Sequence, residues 1–268
     1  MRSLFSYWHF EPIVILFLSA LCIIYLYAVH FKLTKQSLCF FSGVALIIVC
    51  VASPLHFLGE NYLFSAHMVS HVLLLLIAAP LIVAGIPKEN RFKKYLLFLS
   101  TKRMNIFFLC WFTGVGVMWL WHIPVIFNHA TSGHGMALMD FQWLSLLVGG
   151  IIFCWPVINP YQEYRIPPLS AVLYLSTACI FCTILGLMIT FAPLGTYTHY
   201  ANIARADSFV YLIRDQWKIS AGIDQQAAGL IMWVPCCFIY LTASMAILIN
   251  WFDRKELSPV ADKIVMND

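Results

Sequence analysis

Histidine carries most of the chemistry this chain could do, and its spacing is uneven. His67 and His71 stand four residues apart in Ser65-Ala-His-Met-Val-Ser-His71. On a helix that separation puts both rings on one face, one turn apart. Neutral imidazole is the commonest protein metal ligand, and the same spacing serves two-histidine metal sites. His122, in Trp119-Leu-Trp-His-Ile-Pro124, lies near the outer end of a different apolar run. Asp224 opens Asp224-Gln-Gln-Ala-Ala-Gly-Leu-Ile-Met-Trp233. A carboxylate there could cap a helix, ligate a metal or orient a histidine. Met68 and Met232 add thioethers, and thioether with imidazole suits copper(I). Each residue also has a plainer reading. A lone histidine near a helix end is commonly an interfacial ring bonded to a carbonyl or water, and methionine is commonly packing. Three imidazoles buried together in lipid, however, need partners.

The elements that must position these groups are membrane helices. Of 268 residues, 62% are hydrophobic and 10% charged, more apolar surface than a soluble fold of this size can hide. The apolar runs predict an all-α polytopic membrane protein, one integral domain over 1–268, with seven helices at about 12–31, 38–57, 65–86, 105–127, 141–160, 168–191 and 228–251. Each is near the ~20 residues that cross hydrocarbon. Ser53-Pro54, Gly85-Ile-Pro87 and Pro167-Pro168 punctuate them. The first run is longer than a signal-peptide core and lacks a small-x-small site before Lys32, so it is expected to stay in the mature chain.

Lysine and arginine predict the orientation. Lys32, Lys35, the six basic residues of 87–104, Arg165, Arg254, Lys255 and Lys263 fall on one side, twelve in all. Arg2, Arg205, Arg214 and Lys218 fall on the other. The positive-inside rule then puts the N-terminus outside and the C-terminus in the cytoplasm. On that topology eight of the nine histidines lie at or near the outer face, His30 being the exception. The net charge of +4 reflects residues flanking spans, not a nucleic-acid surface. No Asp, Glu, Lys or Arg lies deep in any run, which disfavours a proton pump or ion-coupled transporter. All nine cysteines fall inside the runs and read as small apolar fillers, although Cys179-x-x-Cys182 offers two thiols on one helix face. Phe209 to Ile213, beside Arg214 and Asp215, read as a segment lying flat in the interface.

Several of these motifs together resemble the CtaG-like cytochrome c oxidase assembly proteins of bacteria. They are Ala66-His-Met-Val-Ser-His-Val-Leu-Leu followed by Ala79-Pro-Leu81 and Gly85-Ile-Pro87; Trp119-Leu-Trp-His-Ile-Pro124; Phe153-Cys-Trp-Pro156, Leu173-Tyr-Leu and Gly186; and the run from Asp224 to Trp233. The likeness runs from about residue 50 to 250. It implies a seven-helix bundle needed to mature a haem–copper oxidase at its copper centre, with His67, His71, His122 and Asp224 as the carried-over metal positions. The family pattern has a Glu-His pair early in the fifth helix. Here the stretch reads Asp140-Phe-Gln-Trp143, so Asp140 or His134 must compensate or the site has fewer ligands.

The expected function is therefore an assembly factor, not an enzyme, in the bacterial cytoplasmic (inner) membrane. It would hold copper at the outer face and present it to a haem–copper oxidase subunit, with membrane lipid as its other partner and no nucleic acid. Two alternatives remain at this stage. His71 and His122 could be axial ligands of a haem, or the bundle could transport copper or a small solute, which needs a polar path through its apolar inner half.

Overall fold

Proline sets the breaks in the fold. The computed structural model describes residues 7–9, 11–91, 93–95, 104–131, 136–201 and 208–265. Most of these are helical, and no strand occurs among them. Helix α1 is Pro12–Ala28, with its proline in the first turn, and α2 is Lys35–Ala52. The sequence reading carried α2 to about residue 57. Ser53 and Pro54 end it earlier, because the residue before a proline is pushed out of helical geometry. Ser53 then caps a short helix, Pro54–Asn61, by accepting the Leu55 N–H at 3.1 Å.

The span α3, Phe64–Ala84, follows directly. Its middle, Leu74–Ala78, widens into a π turn in which the Ala79 N–H bonds the Leu74 carbonyl. Pro80 supplies the reason. It has no N–H, and its ring would clash with the Leu76 carbonyl in a regular helix; a π turn relieves both.

Helix α4, Met104–His122, stops at Ile123-Pro124, where a short helix Pro124–Ala130 begins. Helices α5, Met136–Ile158, and α6, Pro168–Phe191, follow. Helix α7 is Ala221–Val265, longer at both ends than the expected 228–251. Its flanks are more polar than its middle, and the helix runs on through both and past Pro259.

Among the described residues six helices are long and apolar enough to cross a membrane, α2 to α7, while α1 has 17 residues and falls just short. Large apolar side chains such as Phe108, Phe112, Leu173 and Phe238 point outward on these spans, as a lipid-facing surface requires. The middle of the bundle is α3. Of its membrane stretch 72% is buried, against 22–44% for the other spans. It packs against α2, α5 and α7, whereas α4 leans on α5 and α6. Between α6 and α7 the backbones nearly touch. A Cβ on Gly229 would meet Thr190 Oγ1 and, at 2.6 Å, the Gly186 carbonyl, and one on Gly186 would meet the Gly229 carbonyl at 2.7 Å. Small residues allow such contacts where lipid gives no hydrophobic drive for helix association.

The segment expected to lie in the interface sets one face on the bundle and leaves the other open, Tyr211 being 54% exposed. Ile213 is buried with Leu63 and Ala66 at the start of α3, and Arg214 donates to the Ile219 carbonyl at 2.7 Å. His134, Arg2, Lys102, Arg103 and Arg205 lie outside the described residues.

Candidate metal centre

Two turns of α3 and the last turn of α4 form the site. His67 and His71 share a face of α3 with ring centroids 4.3 Å apart. His122 ends α4 with its ring 5.3 Å from that of His71, nearly perpendicular to it. All three are buried. The arrangement follows from the i, i+4 spacing and from Pro124, which stops α4 just after His122.

The start of α3 is held in three ways. Its N-cap, Leu63, has no side chain able to cap. The missing acceptor comes from α7: Asp224 takes the N–H groups of Phe64 at 2.8 Å and Ser65 at 3.0 Å, and the Ser65 hydroxyl at 2.6 Å. A carboxylate suits a helix N-terminus because unpaired N–H groups and the helix dipole both favour negative charge. Asp224 does not cap its own helix, since α7 begins at Ala221 and Ser220 accepts the Ile223 N–H there. Gly59 backs the other side. A Cβ at Gly59 would lie 2.9 Å from the His67 nitrogen, so glycine is what lets helix Pro54–Asn61 press against the His67 backbone. A lid of Phe64, Phe127, Tyr197 and Tyr200 rings closes the end. It is tied down by Tyr197 donating to the His122 carbonyl at 3.1 Å and Tyr200 donating to the Gly59 carbonyl.

Polar atoms lie beneath that lid. His67 Nε2, His71 Nδ1 and Gln142 Nε2 are buried and make no well-formed hydrogen bond, although the Gln142 amide lies beside both imidazoles. They face a cavity of about 30 Å3 lined by His56, Glu60, His67, Ser70, His71 and Gln142, among others. That is room for one or two waters or an ion. At the less buried part of the lining His56 Nε2 pairs with Glu60 Oε1 at 3.1 Å.

His122 is oriented differently. Its Nδ1 lies 2.6 Å from the Met118 carbonyl. A carbonyl only accepts, so Nδ1 carries the proton, and in the neutral ring Nε2 holds the lone pair. That lone pair faces Met68 Sδ at 3.2 Å, and a thioether has no proton to give. Two electron-pair donors therefore meet inside the bundle with no hydrogen between them.

The structure thus brings His67, His71 and His122 together with Met68, and sets Asp224 on the backbone one layer away. Among the described residues no three His, Cys, Asp or Glu side chains converge closely enough, as they stand, to hold a metal ion. A donor set here includes the Met68 sulfur or requires a rotation of His71 or His122. Gln142 escaped the sequence reading, although a lone amide in an apolar helix is itself a signal of a polar cavity. Asp140 is two residues from Gln142, about 200° round α5 at ~100° per residue, and is not part of the cavity lining.

Residues 23–254 match the family model described as cytochrome c oxidase caa3 assembly factor. No curated protein and no solved structure matches the chain.

Proposed function

The chain belongs to the cytochrome c oxidase caa3 assembly factor family, and from that premise we propose that it holds copper(I) as cargo between α3 and α4 and passes it to an oxidase subunit. The carrying observation is the His122 Nε2 lone pair facing the Met68 sulfur at 3.2 Å. A soft cation reconciles two such donors, and imidazole with thioether is a ligand set that favours copper(I). His67 Nε2 and His71 Nδ1, buried and without a well-formed hydrogen bond, supply further donors on the cavity side. The Met118 carbonyl accepts from His122 Nδ1 and so fixes the tautomer that leaves Nε2 free to bind a metal. Asp224 holds the first turn of α3 and so positions His67.

In this reading the protein is a carrier and not an enzyme. It lies in the bacterial cytoplasmic membrane, with α1 as a seventh span. At ~1.5 Å per residue α1 reaches about 25 Å, and modest local thinning of the bilayer accommodates that length. The N-terminus is then outside, the C-terminus cytoplasmic, and the histidine end faces outward. A haem between His71 and His122 is less well supported, because a cavity of about 30 Å3 has no room for a porphyrin.

The test is oxidase maturation in cells lacking the native protein. His71→Ala should insert normally but fail to mature the oxidase at low copper, with partial rescue at excess copper by mass action. Ile77→Ala, which alters an exposed position of the same helix, should behave as wild type. Full maturation by His71→Ala at low copper would remove the residue from the mechanism.

A further inference from the structure

Inward from His122 the bundle core turns to sulfur. Met118 on α4, Cys182 on α6 and Cys236 on α7 are each no more than 2% exposed. Met118 Sδ lies 3.7 Å from Cys182 Sγ. Cys236 and Tyr240 both lie beside Cys182. The close approach of α6 and α7 at Gly186 and Gly229 lets these short side chains meet. Met118 also belongs to the histidine site, one turn along α4 from His122, through the carbonyl that holds His122 Nδ1.

We propose that Met118, Cys182 and Cys236 form a second, deeper site for copper(I), made of three sulfurs on three helices. The geometry suits one ion. With metal–sulfur bonds of about 2.3 Å, two sulfurs 3.7 Å apart subtend about 107° at a shared centre, within the range of three- and four-coordinate sites. The chemistry suits it too, because thiolate and thioether are the soft ligands that select copper(I). Both cysteines bind as thiolates, the form that ligates a metal, and Met118 contributes a neutral thioether. Two protons leave to water for each copper(I) bound, and no electron moves. The inference rests on the copper reading above for the identity of the cargo. It extends that reading to a ladder of soft donors, from Met68 and His122 through Met118 to the two thiols, by which an ion held at the histidine end can move into the membrane interior.

The full-length protein, reduced and in detergent micelles, is titrated with copper(I) against a chromophoric chelator without oxygen. Wild type should bind two ions per chain. Cys182→Ala/Cys236→Ala should bind one. Met118→Leu, of nearly the same shape, should keep the first ion and hold the second at least tenfold more weakly. Cys179→Ala/Cys237→Ala should keep both, although those two sulfurs lie 3.3 Å apart on the same helix pair. His67→Ala/His71→Ala/His122→Ala should retain one ion whose X-ray absorption shows sulfur neighbours alone. Wild-type stoichiometry in the Cys182/Cys236 variant together with wild-type affinity in the Met118 variant overturns the proposal. So does a single wild-type ion that the triple histidine variant loses, and so does loss of an ion in the Cys179/Cys237 variant. If instead the histidine variant keeps both ions and the Cys182/Cys236 variant loses one, the histidine reading fails and the sulfur site stands.

Discussion

Removing the Asp224 carboxylate should loosen the bundle without emptying the metal site. The carboxylate is 1% exposed and accepts three hydrogen bonds at the first turn of α3. In Asp224→Ala the Ser65 groups, half-buried, can turn to water, but the Phe64 N–H is buried and loses its partner. A charge-assisted hydrogen bond contributes about 1.5–3 kcal/mol and an orphaned buried donor costs about 1–3 kcal/mol, so the loss should be about 2–5 kcal/mol. Asp224→Asn keeps one acceptor oxygen and should lose about 1–2 kcal/mol. The assay is denaturant unfolding in micelles, paired with copper(I) titration of the folded fraction. The expected result is a graded fall in stability, Ala below Asn below wild type, with copper stoichiometry unchanged and affinity within about threefold. An Asp224→Ala protein that is as stable as wild type but has lost an ion would refute this argument and make the carboxylate a ligand.

Other positions give sharper single tests. Met68→Leu keeps volume, so stability should change by less than about 1.5 kcal/mol, while copper(I) affinity at the histidine site should fall at least tenfold in the same chelator titration. Gly229→Ala forces a methyl against Thr190 Oγ1 and the Gly186 carbonyl; overpacking of this kind costs about 1–3 kcal/mol, read as a lower unfolding midpoint. Reporter fusions after Asp268 should be active only as cytoplasmic reporters, and a periplasmic tail would overturn either the orientation or the odd number of spans.

Much of the scaffold was legible in the sequence because apolar runs and prolines are local signals. The runs located the spans other than α7 within about five residues, and Pro54 and Pro168 marked a real break and a real start, but the fourth run was carried to 127, past Pro124, where α4 has already stopped at His122. The pair His67 and His71 was legible for the same reason, since four residues on a helix fix a shared face. What was illegible depends on contacts between distant segments. Asp224 could be read as the opener of its own helix, but nothing near it reveals that its oxygens serve Phe64 and Ser65, some 160 positions away. Cysteines in apolar runs read as filler until α6 and α7 are seen to close on Gly186 and Gly229. Helix α7 outran its expected 228–251 because apolarity marks only the lipid-crossing part of a helix. Val72, beside His71 in sequence, proved buried in the core, whereas Ile77 is exposed. An innocuous control therefore belongs at Ile77.

The central claim is that imidazole and the Met68 thioether together hold copper(I) at the histidine end. X-ray absorption at the copper edge tests it most directly, on purified protein carrying Cys182→Ala/Cys236→Ala so that only this site is loaded. The spectrum should show imidazole nitrogens and one sulfur bound to the copper. The sulfur should vanish in the added Met68→Leu, and copper should be lost altogether in the added His67→Ala/His71→Ala/His122→Ala. Copper bound with no imidazole neighbours, or retained unchanged when all three histidines are gone, would contradict it.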